Sequence, residues 1–401
     1  MKIAWRFPLA LLLSLTLVAG CFESSTHVPQ APTLSNEVTS CSGRHEIFIQ
    51  SGDMAGEHAY QTATVLKDGK VLFAGGYLSS GFSKQAALIT SEVYDPATHR
   101  FHETGHMTIF RADGSAVRLA DGRVLVTGGF DQGRYLTSVG RSALKTAEIF
   151  DPGSETFTAT ASMQRAQYGH QSLLLSNGKV LIAGGACEAE AAGNLLARVA
   201  CPPELYDPTT STFSIADPFA PHNEEEATAL SDGRALLFCG GTMAEIYDPK
   251  TGKFVHRADM TPRLDMCSGT LLADGRVFIL GSKSFIGTMN EAPKWQALLY
   301  DPNANSYSPL PDLPLDLPFP VAALDGAGKV LISGDVPPDY DNVLSSEIFD
   351  PNSNQFSVIG SVPPHRDGFT STTLNDGTIL IAGGSKDSLP YNIRPTLLFC
   401  P

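Results

Sequence analysis

The sequence predicts an all-β protein whose chain forms a closed ring of seven similar four-stranded units. Three observations support this prediction. A block made of a tight turn, an apolar run and a glycine pair occurs seven times, two of them in weaker form. A second block, Asp-Pro between two aromatic residues, follows it in six of the units. The chain also ends one strand short of a complete seventh unit, while an unassigned strand-like run lies near its start. A fixed repeat period indicates an array of stacked supersecondary units.

The first block is clearest at residues 177–185, Asn-Gly-Lys-Val-Leu-Ile-Ala-Gly-Gly. Asn-Gly or Asp-Gly between apolar runs predicts a hairpin, because the favoured two-residue turn requires positive φ. Apolar residues on both pleat faces predict a strand that is covered on both sides. The glycine pair predicts a close approach by another backbone segment. The other copies lie at residues 68–76, 121–129, 232–241 and 376–384, with weaker copies at 274–282 and 327–335.

The second block places two aromatic residues seven positions apart around Asp-Pro, as in Tyr94 and Phe101. Asp and Pro favour a turn, so each unit gains a second hairpin and has four strands. From the second aromatic to the next Asp-Gly turn the spacing is nearly constant. By contrast, the gap from the second glycine to the next aromatic varies from six to twenty-one residues, so the insertions lie in the connector between the second and third strands. Insertions confined to one face typically mark the functional face of a repeat array.

Closure of the ring is predicted from the two ends of the chain. The seventh unit stops at residues 397–401, before its fourth strand. Residues 46–50 alternate between apolar and polar, and Phe48 precedes Asp68 by the same twenty residues that separate Phe101 from Asp121. We therefore expect the N-terminal strand to complete the last unit and to leave no exposed sheet edge.

These repeats carry a resemblance to a known family. Units of about 50 residues with Val-Leu-x-x-Gly-Gly and Tyr-Asp-Pro, over residues 45–401, resemble kelch repeats of the galactose oxidase central-domain type. The resemblance implies a seven-bladed kelch-type β-propeller closed by an N-terminal strand. Blades 5 and 6 depart from the pattern, with Gly281-Ser282 and Gly334-Asp335 in place of the glycine pair.

The N-terminus predicts export. Lys2 and Arg6 precede an apolar run of signal-peptide length, so residues 1–20 are expected to be a signal peptide. The run ends in Val-Ala-Gly-Cys21, which resembles the bacterial lipoprotein lipobox and implies lipidation of Cys21; the alternative is an ordinary signal peptide with a chance cysteine. Phe22 in place of Asp implies the outer membrane of a Gram-negative host. Residues 21–44, rich in Ser, Thr and Pro, are expected to be a lipidated tether.

Six cysteines remain after Cys21, and an even number in an exported protein suggests disulfides. We expect one bond between the two ends of the ring and one that brackets the long connector of blade 3, namely Cys41–Cys400 and Cys187–Cys201. Cys239 and Cys267 could form a third bond or remain two buried thiols.

The residues that enter each first strand are expected to surround the central opening on the inserted face. Arg and His beside carboxylates can bind an acidic or polyhydroxylated ligand, and the alternative is a solvated rim in which the charges pair with one another. The candidate ligand-binding residues are His58, Arg111, Arg165, His222, Glu225, Arg263 and Arg366. The interleaved acids are Glu57, Asp113, Glu224, Glu226, Asp265 and Asp367.

Metal sites and a cofactor are not expected. Residues 222–226, His-Asn-Glu-Glu-Glu, match no known ligand spacing. Asp335, Asp339 and Asp341 offer oxygen ligands for calcium, but prolines intervene and no EF-hand spacing occurs. The family resemblance implies a copper site of two histidines, two tyrosines and a Cys–Tyr crosslink, whereas the ten histidines of this chain are scattered. We therefore expect neither copper nor calcium and no catalytic residues.

These observations predict a lipid-anchored cell-envelope propeller that binds an envelope or extracellular protein or glycan on the face with the long strand 2–3 connectors. The alternative is a sugar-active enzyme, an isomerase or a galactose oxidase-like oxidoreductase, with its site at the central opening. The net charge of −14 argues against a nucleic-acid partner. We expect a monomer that contacts the membrane only through its lipid.

Overall fold

The computed structural model describes residues 41, 43–56, 58–79, 85–131, 143–188, 198–216, 226–239, 242–283, 294–315, 317, 319–334, 343–362, 366–385 and 395–401. The elements formed by these residues are all β-strands. A search of the same residues finds no helix with the length and hydropathy needed to cross a bilayer. The expected signal peptide, Cys21, His222, Glu225 and the calcium candidates lie outside them.

Thirty-three strands are assigned in the described residues. The first eleven are β1 (Ile47–Asp53), β2 (Thr62–Val65), β3 (Val71–Ala74), β4 (Tyr77–Ser79), β5 (Gln85–Ala87), β6 (Ser91–Asp95), β7 (Arg100–Glu103), β8 (Ser115–Arg118), β9 (Val124–Thr127), β10 (Ala147–Asp151) and β11 (Thr156–Ala159). The next eleven are β12 (Gln167–Tyr168), β13 (Gln171–Leu174), β14 (Val180–Ala183), β15 (Ala186–Glu188), β16 (Arg198–Ala200), β17 (Glu204–Asp207), β18 (Thr212–Ile215), β19 (Glu226–Ala229), β20 (Ala235–Phe238), β21 (Glu245–Asp248) and β22 (Lys253–His256). The last eleven are β23 (Asp265–Leu271), β24 (Val277–Ser282), β25 (Trp295–Asp301), β26 (Ser306–Pro309), β27 (Val321–Leu324), β28 (Val330–Gly334), β29 (Leu344–Asp350), β30 (Gln355–Val362), β31 (Asp367–Thr373), β32 (Ile379–Ser385) and β33 (Pro395–Cys400).

Seven of the sheets contain four antiparallel strands and form the blades of a propeller. In order from the first strand they are β2-β3-β6-β7, β8-β9-β10-β11, β13-β14-β17-β18, β19-β20-β21-β22, β23-β24-β25-β26, β27-β28-β29-β30 and β31-β32-β33-β1, which we number blades 1 to 7. The first strands of neighbouring blades contact one another around a full circle, from β2 to β31 and back to β2. They therefore surround the axis of a closed ring. Blades 5 and 6 form complete sheets despite lacking the glycine pair.

The N-terminal strand completes blade 7, which confirms the predicted closure. β1 pairs with β33 in antiparallel register, with Phe48 opposite Phe399, and the centres of these two rings are 5.2 Å apart. The Thr396 hydroxyl also donates a hydrogen bond of 2.7 Å to the Gly52 carbonyl oxygen. The pairing covers the strand edge that blade 7 would otherwise expose.

The core lies between neighbouring blades. Each second strand is buried along its length, as the doubly apolar runs predict; in β14 no residue is more than 1% exposed. Between blades 1 and 2, for example, Leu72 and Val93 belong to one cluster with Val124 and Phe150. Burial of both sheet faces explains why these strands do not alternate between apolar and polar residues.

The paired aromatic residues face each other across the third and fourth strands. Tyr94 lies opposite Phe101 in the β6–β7 register, and their ring centres are 4.9 Å apart. The corresponding pairs of blades 2 to 6 are 4.7 to 5.1 Å apart. Tilted aromatic pairs at this distance stabilise beyond the area they bury, so the spacing of seven residues reflects one cross-strand contact repeated around the ring.

The glycine pairs allow close contact with the polypeptide that enters the first strands. A Cβ atom on Gly76 would lie 2.7 Å from the Ala59 carbonyl oxygen, and the Gly76 N–H donates to the Arg111 carbonyl oxygen of the next blade at 2.9 Å. Gly129 makes the same bond to Gln167, also at 2.9 Å. A side chain at either glycine would overlap backbone atoms, so these two positions require glycine.

The strand 2–3 connectors leave the blades at the same end of the ring as the entries to the first strands. The two segments form bridges in blades 1 and 2, at Ala59–Tyr77 and Ala112–Phe130. In blade 3 the entry segment forms β12, which pairs with β15 at the base of the connector. The described bases of these connectors therefore flank the axial opening, as the constant and variable spacings suggest.

All six described cysteines are in disulfides. One bond joins Cys41 to Cys400 at the ring closure, and another joins Cys187 to Cys201 across the base of the blade 3 connector. Of the two alternatives for the remaining cysteines, the structure forms the bond: Cys239, at the end of the second strand of blade 4, is joined to Cys267 on the first strand of blade 5.

Candidate functional site

In six of the seven blades, one described residue at or just before the start of the first strand adopts the left-handed backbone conformation. These residues, which we call the mouth ring, each precede the following Asp-Gly-type turn by eight positions and have φ between 47° and 69°. The described members are Tyr60, Asp113, Gly169, Met266, Phe319 and Gly368. A left-handed conformation costs a non-glycine residue roughly 1–2 kcal/mol, so the surrounding structure must impose it at four of these positions.

Backbone hydrogen bonds link the mouth ring from blade to blade. The Tyr60 N–H donates to the Gly368 carbonyl oxygen at 2.7 Å, the Asp113 N–H to that of Tyr60 at 3.3 Å, and the Gly169 N–H to that of Asp113 at 2.9 Å. Four consecutive blades, 7 to 3, are joined in this way. Backbone groups of the mouth ring thus bond to one another across these four blades.

Inside the mouth ring lies a cavity of about 570 Å³ on the propeller axis. All six described members of the ring line it. Its walls differ in chemistry. Blades 1 to 3 contribute mainly polar side chains, among them Gln61, Thr62, Asp113, Ser115 and Gln171. Blades 5 to 7 contribute mainly apolar ones, among them Met266, Phe319, Val321 and Phe369, together with Arg366 and Thr370 of blade 7.

One exposed aromatic residue, Phe319, is part of the cavity wall. It is 51% exposed and lies two residues before β27. Opposite it, the Gln171 amide donates a weak hydrogen bond of 3.4 Å to the carboxyl group of Glu226. Removal of this carboxyl group from water raises the pKa of Glu226 to about 8, and the bond from Gln171 opposes the shift, although the residue as a whole is only half-buried. The axial space therefore joins an aromatic surface to hydrogen-bonding groups.

Three candidate residues, His58, Arg111 and Arg366, occupy one equivalent position, ten residues before the turn. Each is at most 2% exposed. Each donates a hydrogen bond to the carbonyl oxygen of the glycine that follows the second strand of its own blade, His58 at 2.8 Å and Arg366 at 3.2 Å. They tie the entry of the first strand to the base of the connector, and Arg366 also lines the cavity.

His58 additionally contacts a buried carboxylate. Its Nε2 lies 3.2 Å from Oε1 of Glu92 on the third strand of blade 1. Burial would raise the pKa of Glu92, but hydrogen bonds from His58 and from the N–H groups of Ala55 and Gly56 outweigh it and lower this pKa. His58 and Glu92 thus hold the connector that enters blade 1.

Several blades share a buried carboxylate that fixes the connector entering the blade, which we call the carboxylate clamp. In four blades a buried Glu, two residues before the third-strand aromatic, accepts hydrogen bonds from backbone N–H groups of the connector that enters its own blade. These residues are Glu92, Glu148, Glu204 and Glu347. Their constant offset from the aromatic could have identified them in the sequence.

The remaining described candidates lie outside the cavity wall. Arg165 is exposed, and its backbone N–H donates to Glu204 at 2.9 Å. Arg263 is exposed and forms an ion pair of 2.9 Å with Asp265. Ligand binding by these residues stays a prediction, and of the described candidates the structure brings Arg366 alone to the cavity.

No group of three His, Cys, Asp or Glu side chains that could hold a metal ion occurs in the described part of the chain. His170, on the cavity wall, directs its Nε2 to the Thr127 hydroxyl at 2.8 Å. Burial, together with the charge of Arg111, lowers the pKa of His170 to about 3, so its imidazole is neutral.

Comparison with known proteins agrees with this architecture. No protein-family model matches the chain. Kelch-like protein 35 of Mus musculus is 28% identical over 194 residues, covering 48% of this chain and 30% of that protein. Kelch-like protein 36 of Mus musculus is 24% identical over 294 residues, covering 70% of this chain and 44% of that protein. The fold is a seven-bladed kelch-type β-propeller. The chain matches less than half the length of these relatives.

The kelch-type propeller also resembles a solved structure. A fungal alcohol oxidase of the AA5 family, described in complex with copper, superposes with a TM-score of 0.65. The match covers 88% of this chain and 76% of that one at 17% identity. At this level the likeness shows a shared fold, and function must be argued from the site.

Proposed function

We propose that this chain is a lipid-anchored propeller of the bacterial cell envelope that binds a protein or glycan ligand at the mouth of its central cavity. The observation that carries the proposal is an axial cavity with one polar and one apolar wall, flanked by the bases of the strand 2–3 connectors. A concave space of several hundred Å³ with a few convergent polar groups is the usual form of a ligand site.

The mouth ring supports a binding role. In blades 7 to 3 its backbone is held by hydrogen bonds from blade to blade, so this part of the rim need not reorganise. Preorganisation of this kind reduces the free energy lost on binding. The described bases of the connectors flank the opening in blades 1 to 3 and would contact a larger ligand.

The proposed location rests on the sequence. A lipid-modified Cys21 followed by a Ser-, Thr- and Pro-rich tether would hold the propeller at a membrane surface without spanning it. In this arrangement the propeller can present its ligand-binding face to envelope polymers or to extracellular partners. The propeller would then act as a receptor held at the membrane surface by its lipid.

The test is ligand capture by the full-length protein in mild detergent. Immobilised protein is exposed to fractionated envelope glycans and to purified envelope proteins, and binding is measured by biolayer interferometry. Phe319→Ala and Gln171→Ala alter opposite walls of the cavity. Each should lower the affinity for the captured ligand at least about tenfold, which is the range expected for a lost apolar or hydrogen-bonding contact.

Val255→Ala is the matched control, because Val255 is 47% exposed on the outer strand of blade 4. Binding that is weakened by the control and unaffected by the two cavity variants would place the ligand elsewhere and refute the proposal. Conversion of the captured ligand to a new product, lost in the cavity variants, would support the sugar-active alternative.

A further inference from the structure

Blades 2 and 7 carry the same arginine at the same structural position with different partners. In blade 2 the Arg111 guanidinium contacts the carbonyl oxygen of Gly128, and its Nη1 donates to the Thr146 carbonyl oxygen at 3.1 Å. Its Nη2 donates to the Thr146 hydroxyl and to the Glu148 carboxylate, both at 3.2 Å. The charge of Arg111 is therefore compensated inside its own blade.

In blade 7 the two backbone contacts are kept and the two side-chain contacts are lost. Arg366 donates to the carbonyl oxygens of Gly383 and Pro395, at 3.2 and 2.6 Å. Pro395 and Leu397 occupy the positions of Thr146 and Glu148 in blade 2, and they offer neither a hydroxyl nor a carboxylate. Among the described residues no carboxylate pairs with Arg366.

A buried guanidinium without a counter-charge is unfavourable, because its lost hydration is not replaced. Arg366 is 1% exposed, and burial alone lowers its pKa to about 10. Two of its five N–H donors are used by the carbonyl groups. Arg366 differs from Arg111 in a further respect, since it lines the axial cavity and Arg111 does not. The arginine that lacks a counter-charge is thus one of the residues that line the proposed ligand site.

We propose that Arg366 is the anion-recognition group of the central cavity and binds the carboxylate of an acidic sugar. This inference rests on the proposed binding function and specifies the ligand. A guanidinium matches the planar geometry of a carboxylate. The ligand carboxylate would supply in blade 7 the group that Glu148 supplies in blade 2.

The rest of the cavity favours a sugar acid over an acidic peptide side chain. Asp113, Gln61 and Gln171 line the walls and suit hydroxyl groups, since a carboxylate accepts from a hydroxyl and an amide both donates and accepts. The Asp113 carboxylate would repel a second negative charge, so a ligand with one carboxylate and several hydroxyls fits best. Phe319 and Phe369 provide apolar surface for the C–H face of a ring.

The experiment measures binding to the full-length protein by isothermal titration calorimetry. The probes are glucuronate, galacturonate and N-acetylneuraminate, with glucose and galactose as neutral counterparts and N-acetylglutamate as the peptide-like carboxylate. At least one sugar acid should bind tenfold or more tightly than the neutral sugars and than N-acetylglutamate. Arg366→Gln should abolish this preference.

Leu397→Glu provides a second test that keeps the arginine. It recreates in blade 7 the carboxylate of blade 2, so it should neutralise Arg366 internally and also abolish the preference for the sugar acid. Arg123→Gln is the control, because Arg123 is a solvent-accessible arginine that pairs with Asp121 in the turn between β8 and β9 and does not line the cavity, and it should leave the preference unchanged. Thermal denaturation of each variant verifies that it is folded.

The outcomes separate this inference from the proposed function. Equal binding of acidic and neutral sugars, or sugar-acid binding that survives both Arg366→Gln and Leu397→Glu, would overturn the role of Arg366 while leaving a cavity-bound ligand in place. Arg366-dependent binding of N-acetylglutamate without sugar-acid binding would overturn the sugar assignment. Absence of binding for every probe would overturn the inference, and capture of another ligand that is sensitive to Phe319→Ala would still support the binding function.

Discussion

The Cys41–Cys400 bond closes a segment of 359 residues, whereas Cys187–Cys201 closes 14. If disulfides stabilise mainly by restricting the unfolded chain, the gain grows with the logarithm of loop length. The usual loop-closure relation gives about 6 kcal/mol for the ring-closing bond and about 3 kcal/mol for the blade 3 bond, as upper limits. Removing the ring-closing bond should therefore cost about twice as much stability.

The perturbation is the double variant Cys41→Ala, Cys400→Ala, compared with Cys187→Ala, Cys201→Ala. Both remove a bond without leaving a free thiol. The strand β1 remains paired with β33 through backbone hydrogen bonds, so we expect the first variant to fold. Urea unfolding followed by circular dichroism under oxidising conditions gives the two losses in unfolding free energy.

Reduction of the wild-type protein breaks all three bonds, so it should cost more stability than either double variant. Reduction of the ring-closing variant should add only the loss from the other two bonds. An equal loss in the two double variants, or a larger loss in the blade 3 variant, would refute the reasoning that the ring-closing disulfide is the principal constraint on the unfolded chain.

Three further predictions concern packing, pH and the anchor. Gly129→Ala should lower the stability measured by thermal denaturation by about 1 to 3 kcal/mol more than Gly178→Ala does. Both glycines have positive φ, but only a Cβ atom on Gly129 would overlap the backbone of Ala112. Equal losses of stability would contradict this prediction. Burial raises the pKa of Glu347 from 4.5 to about 8. The unfolding free energy should therefore fall by on the order of a few kcal/mol as pH rises through this window, and Glu347→Gln should flatten the dependence of unfolding free energy on pH. The same pH dependence in the variant and the wild type would contradict this prediction. Cys21→Ala should move the protein from the membrane to the soluble fraction, and continued membrane association would refute the lipidation proposal.

Much of the fold could be predicted because it depends on local chemistry that recurs. The Asn-Gly and Asp-Gly turns, the buried second strands and the paired aromatics each express one repeated contact, and the ring closure follows from the position of Phe48 relative to Asp68. Blades 5 and 6 lack the glycine pair and still form complete sheets. At the position that His58, Arg111 and Arg366 occupy in other blades, they carry Leu264 and Leu317, which are buried in apolar clusters.

The candidate site was less predictable. The sequence directs attention to the Arg and His residues that enter the first strands, yet the mouth ring begins two positions later. Its members share a left-handed backbone and no side-chain chemistry, as Tyr60, Met266 and Phe319 illustrate. A backbone conformation shared by residues of such different side-chain chemistry has no counterpart in the local sequence, so it becomes visible only in three dimensions.

The burial of Arg111 also depends on a distant partner. Glu148 follows it by 37 residues, across two strands and a connector of variable length. The offset from the third-strand aromatic residue shows that blade 7 has Leu397 at this position, but nothing in the sequence shows that the position contacts the arginine. The contrast between a compensated and an uncompensated arginine therefore emerges from the alignment of blades in space.

The most direct test of ligand binding in the axial cavity is a crystal structure of the protein with its captured ligand. We expect electron density for the ligand inside the mouth ring, in contact with Phe319 and Gln171, with a carboxylate at the Arg366 guanidinium. Density confined to the outer strands or to the opposite face of the ring, with the axial cavity empty of ligand, would contradict it.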